Sequence, residues 1–267
     1  LEASLINAET KGGPKPVSMM KAVTEAVQQS WDAYNGEEGD TVHSGIGALD
    51  SIMSGFYPGE MVLLGGRPSM GKTAVALSMA LNVARSGQGV VICSLEMNPE
   101  AMALRAISEA SARAGQAISY AKMRRGDMAP QQIETLKRAA QEVAELPITF
   151  LPRQYADLGA LYNGAKQARR ILGEDNMKLL IVDYAQLLKS SQNSRYDQIT
   201  EISMALKNLA GQLNIPVLAL SQLSRKVEER NEKRPMLSDL RESGQLEQDA
   251  DAVLFCYRDE YYLEREE

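Results

Sequence analysis

A chain of 267 residues that is 44% apolar and 24% charged has the size and balance of one large globular domain or one domain with an appendage, which excludes wholesale disorder and collagen-like fibres. No stretch approaches the roughly 18 apolar residues of a membrane span, and the opening LEASLINAET lacks the basic-then-apolar order of a signal peptide. The net charge of −6 argues against a nucleic-acid partner only until it is divided: residues 1–40 carry −4 and residues 258–267 carry −3, leaving +1 for residues 41–257.

Two cysteines, Cys93 and Cys256, and one histidine, His43, form neither a disulfide framework nor a zinc spacing, so a reducing cytoplasm is the expected home. A chain that opens on Leu rather than Met is expected to be a piece or a processed product. Composition shifts near residue 40, which divides a leader of residues 1–40 from a domain of residues 41–267. Within the leader, KGGPKP reads as a flexible linker. Met20, Val23, Val27, Trp31 and Tyr34 then recur at spacings of three and four, predicting a helix over about 17–34 with one apolar face. NGEEGD ends it, Asn and Gly favouring left-handed termination. The stripe must be buried against its own domain or against a neighbouring subunit.

From residue 60 onward, runs rich in Val, Leu and Ile alternate with helical patterns. Strands are expected at 61–65, 90–94, 148–150, 178–183, 216–221 and 252–257, with helices at 72–86, 99–114, 130–145, 157–171 and 196–213. Near-continuous apolar strands are strands covered on both faces. The alternation predicts an α/β fold with a mainly parallel, helix-flanked sheet whose ligands sit beyond the carboxyl ends of the strands.

The residues just after those strands carry the chemistry. Gly66-Arg67-Pro68-Ser69-Met70-Gly71-Lys72-Thr73 matches G-x-x-x-x-G-K-[ST] between a strand and a helix, with Ala74 opening that helix. Backbone N–H groups of such a loop close around phosphates, Lys72 reaches the β and γ phosphates, and the Thr73 hydroxyl holds Mg²⁺. Four apolar residues before Asp183 make it the candidate second magnesium-side acid. Glu96, after VVICS, is a candidate base for the attacking water if its strand adjoins the phosphate-loop strand, although an acid there also stabilises the following helix. Gln222, after PVLALS, is placed to sense the γ-phosphate. Arg225–Arg241 holds six basic residues against four acids, a surplus that suits a phosphate-facing loop, though a solvated loop carries the same pattern.

Gly65–Thr73, Ser94-Leu95-Glu96-Met97, Leu220–Arg225 and Asp239-Leu240-Arg241-Glu242-Ser243-Gly244 together resemble the motor domain of DnaB-type replicative DNA helicases, from about residue 17 to the end. The resemblance implies a RecA-like P-loop NTPase that uses ATP and Mg²⁺, works as a homo-hexameric ring and moves 5′ to 3′ on single-stranded DNA. It implies primase and a helicase loader as partners, with no membrane. It assigns Lys72, Glu96 and Gln222 to catalysis, Thr73 and Asp183 to Mg²⁺, and Arg241, Glu242 and Gly244 to a DNA-facing loop. One Arg and freed backbone N–H groups can hold phosphates without reading bases. Lys189–Arg195 resembles a second central loop and is expected to be mobile.

Against the family pattern, the N-terminal helical domain is expected to be missing, apart from a remnant in residues 1–10. The chain also stops at Tyr261–Glu267, before the Lys-x-Arg-Asn-Gly segment that carries the family's arginine finger, so slow hydrolysis by these residues alone is expected. Two other readings stand beside the helicase. One is a RecA-type recombinase or other RecA-fold ATPase. The other is a nucleotide-holding assembly module without turnover.

Overall fold

The protein was analysed as a computed structural model, which describes residues 16–35 and 39–266, with backbone only at 241–244 and 264–266. Its contacts divide into a unit Leu1–Thr41 and a unit Val42–Glu267.

In the first unit, α1 (Met19–Tyr34) starts where the Ser18 hydroxyl accepts a hydrogen bond from the Lys21 N–H at 3.3 Å. Its stripe is as predicted, and Val23, Val27 and Trp31 are 52%, 63% and 61% exposed. The end differs from the expectation. Asn35 caps the helix in the right-handed region (φ −81°, ψ 0°), returning its N–H to the Trp31 carbonyl at 3.0 Å. Within the expected terminator, Gly36, Glu37 and Glu38 lie outside the described residues, as does most of the expected linker before residue 16.

The second unit is built on six parallel strands: β1 (Met61–Gly66), β2 (Gly89–Ser94), β3 (Ile148–Leu151), β4 (Met177–Asp183), β5 (Val217–Gln222) and β6 (Ala252–Phe255). Their order across the sheet is β3-β2-β4-β5-β1-β6. Alternation explains the apolar runs. Met61, Leu63, Val91, Val182 and Ala219 feed one core, and Val62, Leu64, Val90, Ile181 and Leu218 feed the other. Successive side chains point to opposite faces, so a strand covered twice has no polar position to spare.

One core is closed by α7 (Leu158–Leu172) and α8 (Arg195–Leu213), the other by α3 (Lys72–Arg85) and α4 (Pro99–Arg113). α3 buries Ala76, Leu77, Met79, Ala80, Leu81, Val83 and Ala84. Each such Leu or Met contributes about 1.5–3 kcal/mol relative to exposure. An ion triad joins the helices on this side: Arg85 reaches Glu109 on α4 at 2.7 Å and Glu142 on α6 (Pro130–Ala144) at 3.0 Å.

The periodicities miss the short pieces. α2 (Gly47–Met53) and α5 (Tyr120–Arg125) run for seven and six residues, too few to show a repeat. The loop after β5 contains 3₁₀ turns at Arg225–Glu229 and Leu237–Ser243, followed by α9 (Gly244–Asp249). β6 stops at Phe255 rather than 257, although the Cys256 N–H still bonds the Gly65 carbonyl at 2.8 Å. α10 (Glu260–Glu266) follows. Among the described residues no helix is long and apolar enough to cross a membrane.

Candidate active site

The carboxyl ends of β1, β4 and β5 lie side by side, which brings Gly66–Thr73, Asp183 and Gln222 together. β1 ends at Gly66 and α3 begins at Lys72, so the chain reverses within a few residues. Ser69 (φ 67°) and Gly71 (φ 94°) take left-handed backbone to do it. A Cβ at Gly71 would meet nothing within 4 Å, so conformation rather than space demands glycine there. At Gly66 space decides: a Cβ would lie 3.1 Å from Lys72 Cγ and 3.2 Å from the Cys256 carbonyl oxygen. Left-handed and ordinary residues in alternation turn successive N–H groups toward one concavity. α3 opens on it without a side-chain cap. Pro68, Ser69 and Ala74 are exposed around the turn, whereas Met70 is buried in the core.

Lys72 and Thr73 leave the turn in different directions. Lys72 Nζ donates to the carbonyls of Gly66 at 2.7 Å and Arg67 at 3.2 Å. Burial pushes its pKa down, and the charge of Asp183 opposes that. Thr73 Oγ1 donates to Asp183 Oδ2 at 2.8 Å. Asp183, 2% exposed, ends β4. Burial raises its pKa, the Thr73 hydrogen bond lowers it, and the charge of Glu96 raises it again.

Glu96 reaches this group by a route other than the expected one. β2 does not adjoin β1; it pairs with β3 and β4. The Leu95 N–H donates to the Asp183 carbonyl at 2.8 Å, so Glu96 comes beside the site from the β4 side, with its side chain exposed. Its charge acts on both Asp183 and Lys72. Crossover length does not say which strand a returning chain lands beside.

Gln222 stands in register opposite Gly66. Gln186 grips this end of β5. Its Nε2 donates to Ser221 Oγ at 2.8 Å and to the Gln222 carbonyl at 3.2 Å, while its Oε1 accepts from the Gln222 N–H at 3.3 Å. Sequence reading missed Gln186, which lies three residues past Asp183 with no motif to mark it. Arg67 is expected to serve the loop through its backbone, and its side chain lies elsewhere: it turns to the segment after β5, with Nη1 2.8 Å from the Leu223 carbonyl and Nε 2.9 Å from Glu228 Oε1.

Two cavities of about 560 Å³ each flank the turn. One is mostly apolar, between Met70, Val75, Leu254, Cys256 and Tyr257. The other is polar and includes Arg67, Arg195, Gln222, Arg225 and Lys226. Lys189–Arg195 borders it and is tied down: Glu201 accepts from both Ser190 and Ser191, and the Gln192 carbonyl accepts from Gln198 Nε2 at 2.9 Å. The side chains of Arg241 and Glu242 lie outside the described residues; the backbone of Arg241–Gly244 forms the end of the second 3₁₀ turn and the start of α9.

Residues 41–267 match the family described as DnaB-like helicase C terminal domain. The replicative DNA helicase DnaB of Rickettsia conorii is 39% identical over 239 residues, covering 85% of this chain and 47% of that protein. That of Geobacillus stearothermophilus is 40% identical over 228 residues, 83% of this chain and 48% of that protein. The chain thus spans about half the length of the curated relatives it matches. Among solved structures, one described as an ATPase domain superposes with a TM-score of 0.80 at 38% identity, over 90% of this chain and 84% of that one. A DnaB-like replicative helicase, described with its interactions with primase, gives 0.79 at 36% identity over 98% and 62%. The parallel sheet is therefore the RecA-like fold of these motors. A match running from the start of the second unit to its end, with relatives near 40% identity, settles the assignment: the chain belongs to the DnaB-like helicase C-terminal domain family.

Proposed function

We propose that this domain is the ATP-driven motor of a replicative DNA helicase, working in a homo-hexameric ring that moves 5′ to 3′ along single-stranded DNA. The observation that carries the chemistry is the Thr73 hydroxyl held 2.8 Å from the buried Asp183 carboxylate, with Lys72 and the charge of Glu96 close by. A hydroxyl and a carboxylate oxygen are the hard donors that Mg²⁺ takes. Among the described residues no group of three or more His, Cys, Asp or Glu could hold a metal ion; Thr73 and Asp183 would hold Mg²⁺ together with the nucleotide. When bound, Mg²⁺ would neutralise charge on the phosphates.

The chain's own residues do the remainder. Lys72 presents its ammonium to the β and γ phosphates, and the backbone of Gly66–Thr73 cradles them. Glu96 accepts the proton of the attacking water, and Gln222 responds to the γ-phosphate. The apolar cavity beside Met70 and Tyr257 takes the base. Arg241, Glu242 and Gly244 face the DNA backbone. The direction of travel, a loader and primase as partners rest on family likeness, the last also on the relative described with primase. The uncovered stripe of α1 is assigned to a neighbouring copy.

Turnover by this chain with and without single-stranded DNA, and unwinding of forked duplexes by a protein of the relatives' full length that carries this domain, test the reading. DNA-stimulated turnover and dependence on the 5′ tail are expected. Filaments with strand exchange would favour the recombinase, and binding without turnover in both proteins the assembly module. Removal of residues 1–36 should weaken self-association in sedimentation while leaving the melting temperature of the remaining domain nearly unchanged.

A further inference from the structure

The phosphate-loop turn is stitched to the segment after β5 at three points. The Leu223 N–H donates to the Gly66 carbonyl at 3.4 Å, Arg67 Nη1 donates to the Leu223 carbonyl at 2.8 Å, and Arg67 Nε donates to Glu228 Oε1 at 2.9 Å. The Arg67 side chain is 7% exposed and that of Glu228 36%. A guanidinium so deeply placed cannot leave its partner cheaply, because an uncompensated charge would remain in the protein.

The far side of the stitch is itself a cross-linked body. Glu228 sits in the 3₁₀ turn Arg225–Glu229, and its carbonyl accepts from Lys233 Nζ at 2.8 Å. The Ser224 N–H donates to the Asp239 carbonyl at 3.0 Å. The Asp239 carboxylate accepts from Arg230 Nη2 at 2.8 Å and from the Met236 N–H at 2.7 Å. Asp239 stands two residues before Arg241. On the near side, the Arg67 carbonyl is one of the two acceptors of Lys72 Nζ. One residue therefore touches the phosphate-binding lysine through its backbone and the distant segment through its side chain.

We propose that Arg67 and Glu228 form a positioning pair that couples the state of the phosphate-loop turn to the segment Ser224–Leu240, and through it to Arg241–Gly244. The DNA end of this statement rests on the function proposed above; the coupling of turn to segment does not. Any shift of the turn that carries Arg67 must carry Leu223 and Glu228 with it or break a mostly buried ion pair. Coupling between two sites is reciprocal and commonly amounts to about 5- to 150-fold in affinity.

Amide hydrogen exchange on this chain, with and without MgADP, tests the turn-to-segment step. In the unaltered protein, nucleotide should slow exchange both at residues 66–73 and at 224–240. In Glu228→Ala the protection at 66–73 should persist within about twofold, while the response at 224–240 falls at least fivefold. Glu228→Gln keeps an acceptor for Nε, should fold where Ala does not, and should fall between the two. A segment that answers nucleotide equally in all three proteins, or does not answer in the unaltered one, overturns the coupling. Affinity for oligo(dT), compared in MgATPγS and MgADP, tests the DNA end. The ratio between the two states should collapse toward one in Glu228→Ala, whereas equal weakening in both states would mark a merely structural pair and overturn the proposal. Absence of oligo(dT) binding by every protein, with the exchange result intact, would overturn the DNA reading and support the coupling alone.

Discussion

Two turns leave neighbouring strands at the same end of the sheet, and they are held by opposite means. After β1, residues 67–71 take their shape from the backbone, through two left-handed residues and a helix that starts at once, and the Arg67 side chain ties them to the segment after β5. After β5, residues 223–240 are fixed by side chains, chiefly the Asp239 carboxylate, the Arg230 pair and the Glu228 pair. A backbone cradle keeps its shape as long as the chain is folded. A body held by ion pairs can shift as a unit when one pair is pulled, so the first suits a site that must be ready and the second a part that must respond.

Substitutions sharpen this contrast. The largest expected effect is at Lys72. Lys72→Ala should cost two decades or more in nucleotide affinity, about 3 kcal/mol, because it deletes a charged donor from the cradle while leaving the backbone in place. Glu96→Gln is its counterpart, with nucleotide affinity within a fewfold and turnover down by about 10²–10⁴. Titration with a fluorescent nucleotide and steady-state turnover measure both, and equal loss of binding in the two variants would show that Glu96 is misassigned.

Next in size, Asp239→Ala removes the acceptor of Arg230 and of the Met236 N–H. Local opening of residues 224–240 should become easier by about 2 kcal/mol, or some 30-fold in exchange rate, with a far smaller response at the phosphate-loop amides, which feel it only through the Arg67–Glu228 pair. Uniform acceleration over both turns would break the contrast. The smallest effect is Gly71→Ala, where no atom crowds the new methyl and the cost is that of left-handed backbone alone, about 1–2 kcal/mol in chemical denaturation. A larger loss would mean that the turn is held by packing after all.

The contrast also explains what was readable in the sequence. The strands came out within two residues of their observed bounds, because strands buried on both faces write themselves as unbroken apolar runs. The phosphate-loop turn was readable for a related reason: its shape is made by the residues within it, so a local string encodes it. Asp183 followed from its position at a strand end. For Glu96 only the strand neighbour differs from the expectation, since nothing local says that β2 lands between β3 and β4 rather than beside β1. Arg67 and Glu228 are 161 residues apart, and Gln186 and Ser221 are 35 apart. Charge or amide character alone does not single out one partner among many. The elements missed, α2 and α5, are shorter than two turns.

The bare start of α3 has a thermodynamic consequence. This helix supplies a large share of one core face, yet it begins on a glycine, with no side-chain cap and no acid in its first turn. With no side-chain cap, its leading amide donors and the positive end of its dipole suit an anion. A phosphate seated there completes the helix as a capping residue would, so occupancy and folding become one equilibrium governed by mass action. A ligand at 100 times its dissociation constant would add about 2.7 kcal/mol to the unfolding free energy. On the proposed function, the domain's endurance against heat and proteases would be partly borrowed from the nucleotide pool around it, and a chain in depleted surroundings would be the first to open.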